Sequence, residues 1–169
     1  TGVLAIDQGA GLTNVIAAVG VRGGPTGVQP DLDQTGANGV YRASMPMAGC
    51  PASWTLLNSG WPANTGNGTP GATNIGRIEL AVAPTNGDIL YAMAGSSVSL
   101  GAGVIGVWKS TNGGDTWTQV AQPANVSSAG CANATAGGGQ MWYDAGLTVS
   151  PTNPDVVIMS AVDMFRSTD

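Results

Sequence analysis

The residues best suited to bind a ligand are aromatic side chains that stand near charged ones in Gly-rich segments. They are Trp61, Trp142 and Tyr143, with Arg22, Asp31, Asp33 and Asp144 as polar neighbours. A pyranose presents an apolar face to an aromatic ring and hydroxyls to polar groups, so this set predicts a glycan contact. Packing of the same rings inside the protein is the competing interpretation, and the residue types leave both open.

Catalytic and cofactor chemistry have weaker candidates. The chain has no His, and Glu79 is its single Glu. Glycoside hydrolysis needs two carboxylates about 5 to 9.5 Å apart, and no pattern pairs the Asp residues, so we nominate no catalytic residue. Asp31 and Asp33 fall short of the roughly six to eight oxygens that calcium takes, and the glycines of residues 101–106 open no helix of a βαβ unit. We expect neither a metal nor a cofactor.

Composition excludes further classes. Only 9% of the 169 residues are charged and the net charge is −5, which argues against a nucleic-acid partner. The apolar runs are far shorter than the roughly 20 residues of a membrane helix, so we expect no membrane span. Because the chain starts at Thr1 rather than Met, we expect a processed protein or an internal segment. A disulfide between Cys50 and Cys131 is an open alternative.

An internal repeat indicates the architecture that positions these residues. The stretch LAVAPTN at 80–86 recurs as LTVSPTN at 147–153, and short strand-like pieces follow each copy in the same order. A repeated four-stranded antiparallel unit is typical of a β-propeller blade. The sequence predicts an all-β, incomplete propeller over 1–169, with about two and two-thirds blades: 1–57, 78–120 and an incomplete blade at 145–169. Residues 58–77 and 121–144 are the long inter-blade loops. Such a chain cannot close a propeller alone.

A turn motif carries a family resemblance. Residues 110–117, STNGGDTW, match the Asp-box pattern through Ser110, Asn112, Gly114, Thr116 and Trp117; Ser167 and Asp169 begin a second copy, and unit 1–57 holds a degenerate one. The chain resembles the Asp-box, or BNR-repeat, β-propeller superfamily, which includes sialidases, xyloglucanase-type glycoside hydrolases, sortilin-type receptors and secreted bacterial repeat proteins. That resemblance implies a structural role for the box and a secreted or cell-surface, extracellular location.

Loop lengths then separate two edges of each unit. Strand alternation places the compact turns at one edge and the longer connections, which carry the aromatic set, at the other, which predicts the binding edge. We expect a binding or structural module for glycans or protein partners, and we expect it to contact further blades of the same propeller or neighbouring subunits. One alternative is part of a xyloglucanase- or sialidase-like hydrolase whose catalytic carboxylates lie partly outside this segment. Another is a subunit of an extracellular assembly.

Overall fold

The computed structural model describes residues 2–7, 13–20, 39–45, 49–50, 53–57, 59–61, 75–96, 103–121, 141–161 and 164–167. In these ranges the chain forms three antiparallel sheets and one four-residue helix, which confirms the all-β prediction. The strands and the helix are β1 (Gly2–Asp7), β2 (Thr13–Val19), β3 (Gly39–Met45), β4 (Thr55–Leu56), β5 (Ile75–Ala83), β6 (Asn86–Ser96), β7 (Val104–Ser110), β8 (Thr118–Ala121), α1 (Met141–Asp144), β9 (Gly146–Val149), β10 (Val157–Ser160) and β11 (Met164–Arg166).

Within each sheet the strands pair in chain order. Sheet 1 contains β1 to β4, sheet 2 contains β5 to β8, and sheet 3 contains β9 to β11. The pairing of β1 with β2 runs from Gly2 opposite Ala18 to Asp7 opposite Thr13. Pro84 ends β5 because a proline has no backbone N–H to give to the ladder, and β6 begins two residues later. The chain therefore turns back on itself at short range before moving to the next sheet.

Sheet 2 lies between the other two sheets. Because successive side chains of a strand point to opposite faces, sheet 2 packs against both of them. On β6, Leu90 and Ala92 face sheet 1, whereas Tyr91 and Met93 face sheet 3. The core toward sheet 1, called cluster 1 here, contains Ile16, Ala18, Val40, Leu57, Trp61, Ile78, Leu80, Leu90, Ala92, Ala94, Trp108 and Trp117. The core toward sheet 3, called cluster 2, contains Ala81, Ala83, Tyr91, Met93, Val107, Met141, Val149, Val157 and Met159.

Sheets 1 and 2 approach closely at one point. A Cβ atom built on Gly20, just after β2, would lie 1.8 Å from the carbonyl oxygen of Gly76 in β5. That distance is far inside van der Waals contact, so only a residue without a side chain fits there. The backbone contact fixes where sheet 2 meets sheet 1.

Candidate functional site

The turn between β7 and β8, residues 110–117, is closed by its own side chains. Ser110 Oγ accepts the backbone N–H of Gly114 at 2.9 Å and that of Asn112 at 3.3 Å. The Ser110 hydroxyl donates to Asn112 Oδ1 at 2.9 Å. Asn112 Oδ1 also accepts the Thr116 N–H at 3.0 Å, while Asn112 Nδ2 donates to Thr116 Oγ1 at 3.0 Å. Short polar side chains here supply the hydrogen bonds that the backbone of the turn cannot make with a neighbouring strand.

The two glycines of this turn meet a conformational and a steric need. Gly113 has φ of 66° and Gly114 has φ of 94°, the left-handed region that favours glycine. A Cβ on Gly114 would also lie 2.7 Å from Leu57 Cδ1 of sheet 1. The turn therefore bends sharply while pressing its backbone against the preceding sheet.

Three polar contacts fasten the turn to sheet 1 and to the segment that follows it. Arg42 Nη1 donates to the carbonyl oxygen of Gly113 at 3.2 Å, and Arg42 Nη2 lies 2.8 Å from Asp115 Oδ1. The backbone N–H of Trp117 donates to the carbonyl oxygen of Ser59 at 2.9 Å. One arginine thus holds both a backbone group and a carboxylate of the next sheet, a charge-assisted arrangement. The turn joins two sheets as well as two strands.

Three tryptophans pack beneath the turn. Trp61 stacks on Trp108 with ring centroids 4.8 Å apart, and its ring is tilted against Trp117 at 5.4 Å. Trp61 is only 7% exposed. A buried ring has no free face for a sugar, so the structure places this predicted ligand contact in the core instead. The reason is local: Gly60 has φ of 86°, which turns the chain inward and carries the ring onto cluster 1.

Two of the three indole nitrogens, Trp61 Nε1 and Trp117 Nε1, are buried and have no hydrogen-bond partner among the described residues. A buried N–H without a partner costs roughly 1–3 kcal/mol, which ring stacking and apolar burial must offset. Trp108 and Tyr91 are likewise buried in the core.

The contacts between sheets 2 and 3 follow a similar plan. Lys109 Nζ lies 2.6 Å from Asp155 Oδ1, and the Tyr91 hydroxyl donates to the carbonyl oxygen of Pro154 at 2.9 Å. The hydrogen bond to Asp155 raises the pKa of Lys109 above its ordinary value, against the opposing effect of desolvation. Ser167 in turn accepts the Val157 N–H at 2.8 Å. Sheet 3 is therefore tied to β7 of sheet 2 by a cation on the strand and a carboxylate on the turn.

The remaining predicted residues divide by position. Asp144 ends α1 and is exposed, and Trp142 and Tyr143 belong to that helix. Met141 belongs to cluster 2, so α1 lies beside that cluster. Trp61 belongs to cluster 1, and Trp61 and the helix therefore lie on opposite sides of sheet 2. The aromatic set is thereby divided. Cys50 is exposed and carries a free thiol. Four predicted ligand or disulfide residues and one box residue lie outside the described residues: Arg22, Asp31, Asp33, Cys131 and Asp169.

Several described carboxylates already have cationic partners. Glu79 pairs with Arg77, as Asp115 does with Arg42 and Asp155 with Lys109. Within the described ranges no group of three or more His, Cys, Asp or Glu could hold a metal ion. In the same part of the chain no helix is long and apolar enough to cross a membrane. The charges of these three pairs thus serve contacts between sheets and within a strand.

Motif analysis missed the two ion pairs between sheets, Arg42 with Asp115 and Lys109 with Asp155. Arg42, Lys109 and Arg166 occupy the same place in the third strand of their sheets, and this recurrence of a cation was the available signal. Their partners could not be inferred, because Asp115 and Asp155 come from different turns. No protein-family model, curated protein or solved structure matches the chain. The geometry of the sheets and turns is therefore the basis for any functional assignment.

Proposed function

We propose that this chain is part of an Asp-box type β-propeller that serves as a secreted or cell-surface binding and structural module. The observation that carries the proposal is the turn of residues 110–117, whose Ser110 and Asn112 side chains close it and whose Asp115 is bound by Arg42 of the preceding sheet. In a propeller each blade closes its own hairpin and also packs against the neighbouring blade, and this turn contributes to both.

The stacking of the sheets supports the same proposal. Sheet 2 buries alternate side chains of β6 against a sheet on either side. A β-sandwich would leave one face of each sheet open to solvent, whereas a blade inside a propeller is covered on both faces. Sheets that follow one another along the chain, each in strand order, fit a radial series of blades.

The proposed binding surface lies at the edge opposite the closed turn. Asn112, Thr116 and Asp115 are engaged in the turn and its contact with sheet 1, so that edge serves a structural purpose. At the other edge the chain runs from β2 to β3 through residues 20–38, a much longer connection. Long connections on a rigid scaffold are where binding groups accumulate. Glycans and protein surfaces are the ligand classes that we propose for it.

A role as the catalytic part of a glycoside hydrolase receives less support. Asp115, Asp155 and Glu79 are each bound to a cation, and a general acid in this reaction needs a raised pKa in a protected setting. Asp144 is exposed. None of these four carboxylates has the protected setting that a general acid needs.

A glycan array and a hydrolysis screen on the same preparation separate binding from turnover. We expect retention of particular glycans with no release of reducing sugar. Asp144→Asn tests the predicted site, and Asp88→Asn, another exposed aspartate, is its matched control. Turnover that is lost in Asp144→Asn and kept in the control would replace the binding module with the hydrolase. Absence of both retention and turnover would leave only the structural role.

A further inference from the structure

Two Asn–Gly pairs of the described residues lie at turns of sheet 2 and are held in different ways. Asn86–Gly87 stands where β6 begins, and Asn112–Gly113 stands in the turn of residues 110–117. An Asn–Gly pair is especially prone to form a succinimide, because glycine has no side chain to shield its backbone nitrogen. The reactivity of each pair then depends on whether the turn leaves its two reacting groups free.

The reaction joins the backbone nitrogen of the glycine to the side-chain carbon Cγ of the asparagine. A base in the solvent removes the glycine amide proton, the N–Cγ bond forms, and the Cγ–Nδ2 bond breaks as the amide nitrogen takes up protons and leaves as ammonia. Water then opens the succinimide at either carbonyl and leaves aspartate or isoaspartate. The reaction needs a glycine N–H that solvent can reach and stabilisation of the negative charge that develops on Oδ1.

The turn at Asn86 meets both needs. Asn86 is exposed and Gly87 is half-buried. Asn86 Oδ1 accepts the backbone N–H of Asp88 at 3.0 Å, which folds the side-chain carbonyl back over the following backbone and stabilises charge on its oxygen. The ladder of β5 and β6 is irregular here, because it shifts between Val82 and Ala83 and Gly87 falls inside the shift. The reacting groups are therefore adjacent and close to solvent.

The turn at Asn112 does not leave these groups free. Gly113 is buried, and its N–H donates to the carbonyl oxygen of Asp88 at 2.9 Å, so solvent base cannot reach the proton. The Asn112 amide is held at both ends, since Oδ1 accepts the Thr116 N–H and Nδ2 donates to Thr116 Oγ1, each at 3.0 Å. The amide can reach the Gly113 nitrogen only when the turn opens. Closure of the turn thus also protects its Asn–Gly pair.

Sheet 3 contains an internal comparison. Asn153 is exposed between β9 and β10, and its Oδ1 accepts the Asp155 N–H at 3.0 Å, the same side-chain turn as at Asn86. The next residue is Pro154, which has no backbone N–H to lose. This turn therefore has the electrophile without the nucleophile, and it separates the effect of the side-chain turn from that of the glycine.

We propose that Asn86 is a site of spontaneous deamidation in the folded protein, whereas Asn112 is protected by the turn that it closes. The product carries a new negative charge beside Asp88, and its isoaspartate form adds a methylene to the backbone just before Gly87. The Asp88 carbonyl oxygen accepts the Gly113 N–H, so the modification acts on the contact that shields the second pair. This inference does not depend on the proposed propeller.

Peptide mapping by mass spectrometry, after the folded protein is incubated in mildly alkaline buffer, tests the assignment. We expect Asn86 to convert at least about tenfold faster than Asn112, which corresponds to roughly 1.4 kcal/mol of opening free energy, and Asn153 to stay unchanged. Mapping also keeps these sites apart from the Asn–Gly pairs at 38–39 and 67–68. Equal rates at Asn86 and Asn112, or equal conversion of Asn86 and Asn153, would overturn the inference.

The same incubation in urea separates folding from local sequence. In the unfolded chain Asn86 and Asn112 should convert at similar rates, because neither turn is present. A difference that persists in urea would place its cause in the neighbouring residues and overturn the protection by the turn.

Two variants exchange the nucleophiles. Pro154→Gly gives Asn153 the N–H that it lacks and keeps the carbonyl that accepts the Tyr91 hydroxyl, so deamidation should appear at Asn153. Gly87→Ala is the matched loss, because the new Cβ shields the nitrogen, and conversion at Asn86 should slow. Circular dichroism checks that both variants remain folded. No conversion at Asn153 in folded Pro154→Gly, or an undiminished rate in Gly87→Ala, would overturn the inference.

Discussion

Replacing Ser110 with Ala removes the atom on which the turn of residues 110–117 depends. Ser110 is 1% exposed, and its hydroxyl oxygen accepts two backbone N–H groups, of Gly114 and Asn112. The Gly114 N–H is buried, so the variant leaves a donor that water cannot reach. Leaving such a donor unpaired costs roughly 1–3 kcal/mol.

We expect the free energy of unfolding of Ser110→Ala to fall by about 2 kcal/mol. The Asn112 N–H contributes less to this figure, because its bond is longer at 3.3 Å and Asn112 is exposed to water. For a chain of this size the change corresponds to a melting temperature about 4 to 8 °C lower. Urea unfolding followed by circular dichroism measures it, and the slope with denaturant should stay unchanged.

Ser44→Ala is the matched control for this measurement. The Ser44 hydroxyl donates to Asn14 Oδ1 at 3.1 Å in an exposed position, where water replaces the lost bond. We expect a loss below about 0.5 kcal/mol. Equal losses in the two variants would refute the argument that the Ser110 hydroxyl closes a buried turn.

Three further predictions concern the contacts between elements. A double-mutant cycle on Arg42→Met and Asp115→Asn should give a coupling below about 1 kcal/mol that shrinks with added salt, since the carboxylate is largely exposed; a coupling that does not respond to salt would contradict it. The stability that Lys109 contributes is present below pH 10.5 and is lost as the pH rises through its raised folded pKa, so pH titration of unfolding should show a decline that Lys109→Met removes. Gly95→Ala should lower the free energy of unfolding by roughly 1–3 kcal/mol, because the new Cβ would lie 2.3 Å from Met141 Cγ. In a Met141→Ala background the cost of Gly95→Ala should be smaller, because the clashing atom is gone. An unchanged cost would place the strain in the backbone instead.

The repeat made much of the sheet arrangement predictable. The copies at 80–86 and 147–153 place a strand, a proline and a tight turn in the same order, and β5 and β9 lie there. Alternation along β6 then follows from the period of a strand, and Leu90 and Tyr91 face opposite sheets as that period requires. The local sequence was sufficient to predict the sheets because each sheet is built from strands that follow one another along the chain.

The candidate site was less predictable. Trp61 stands between a glycine and a proline, which favours an exposed loop, yet the backbone at Gly60 turns the ring into cluster 1. The pairing of Arg42 with Asp115 depends on how two sheets stack, which no local pattern specifies. Long-range packing therefore decided that Trp61 lies in the core.

The position of sheet 2 has a consequence for how the protein opens under native conditions. Sheet 2 is covered on both faces, whereas sheet 3 has Ile158 and Met164 exposed on one face. Among the described residues, opening of sheet 3 disrupts one junction, whereas opening of sheet 2 disrupts two. Amide hydrogen exchange should therefore be graded along the chain, with the slowest amides in β6 and faster ones in β10 and β11. Sheet 3 would then exchange by local opening long before the other two sheets unfold.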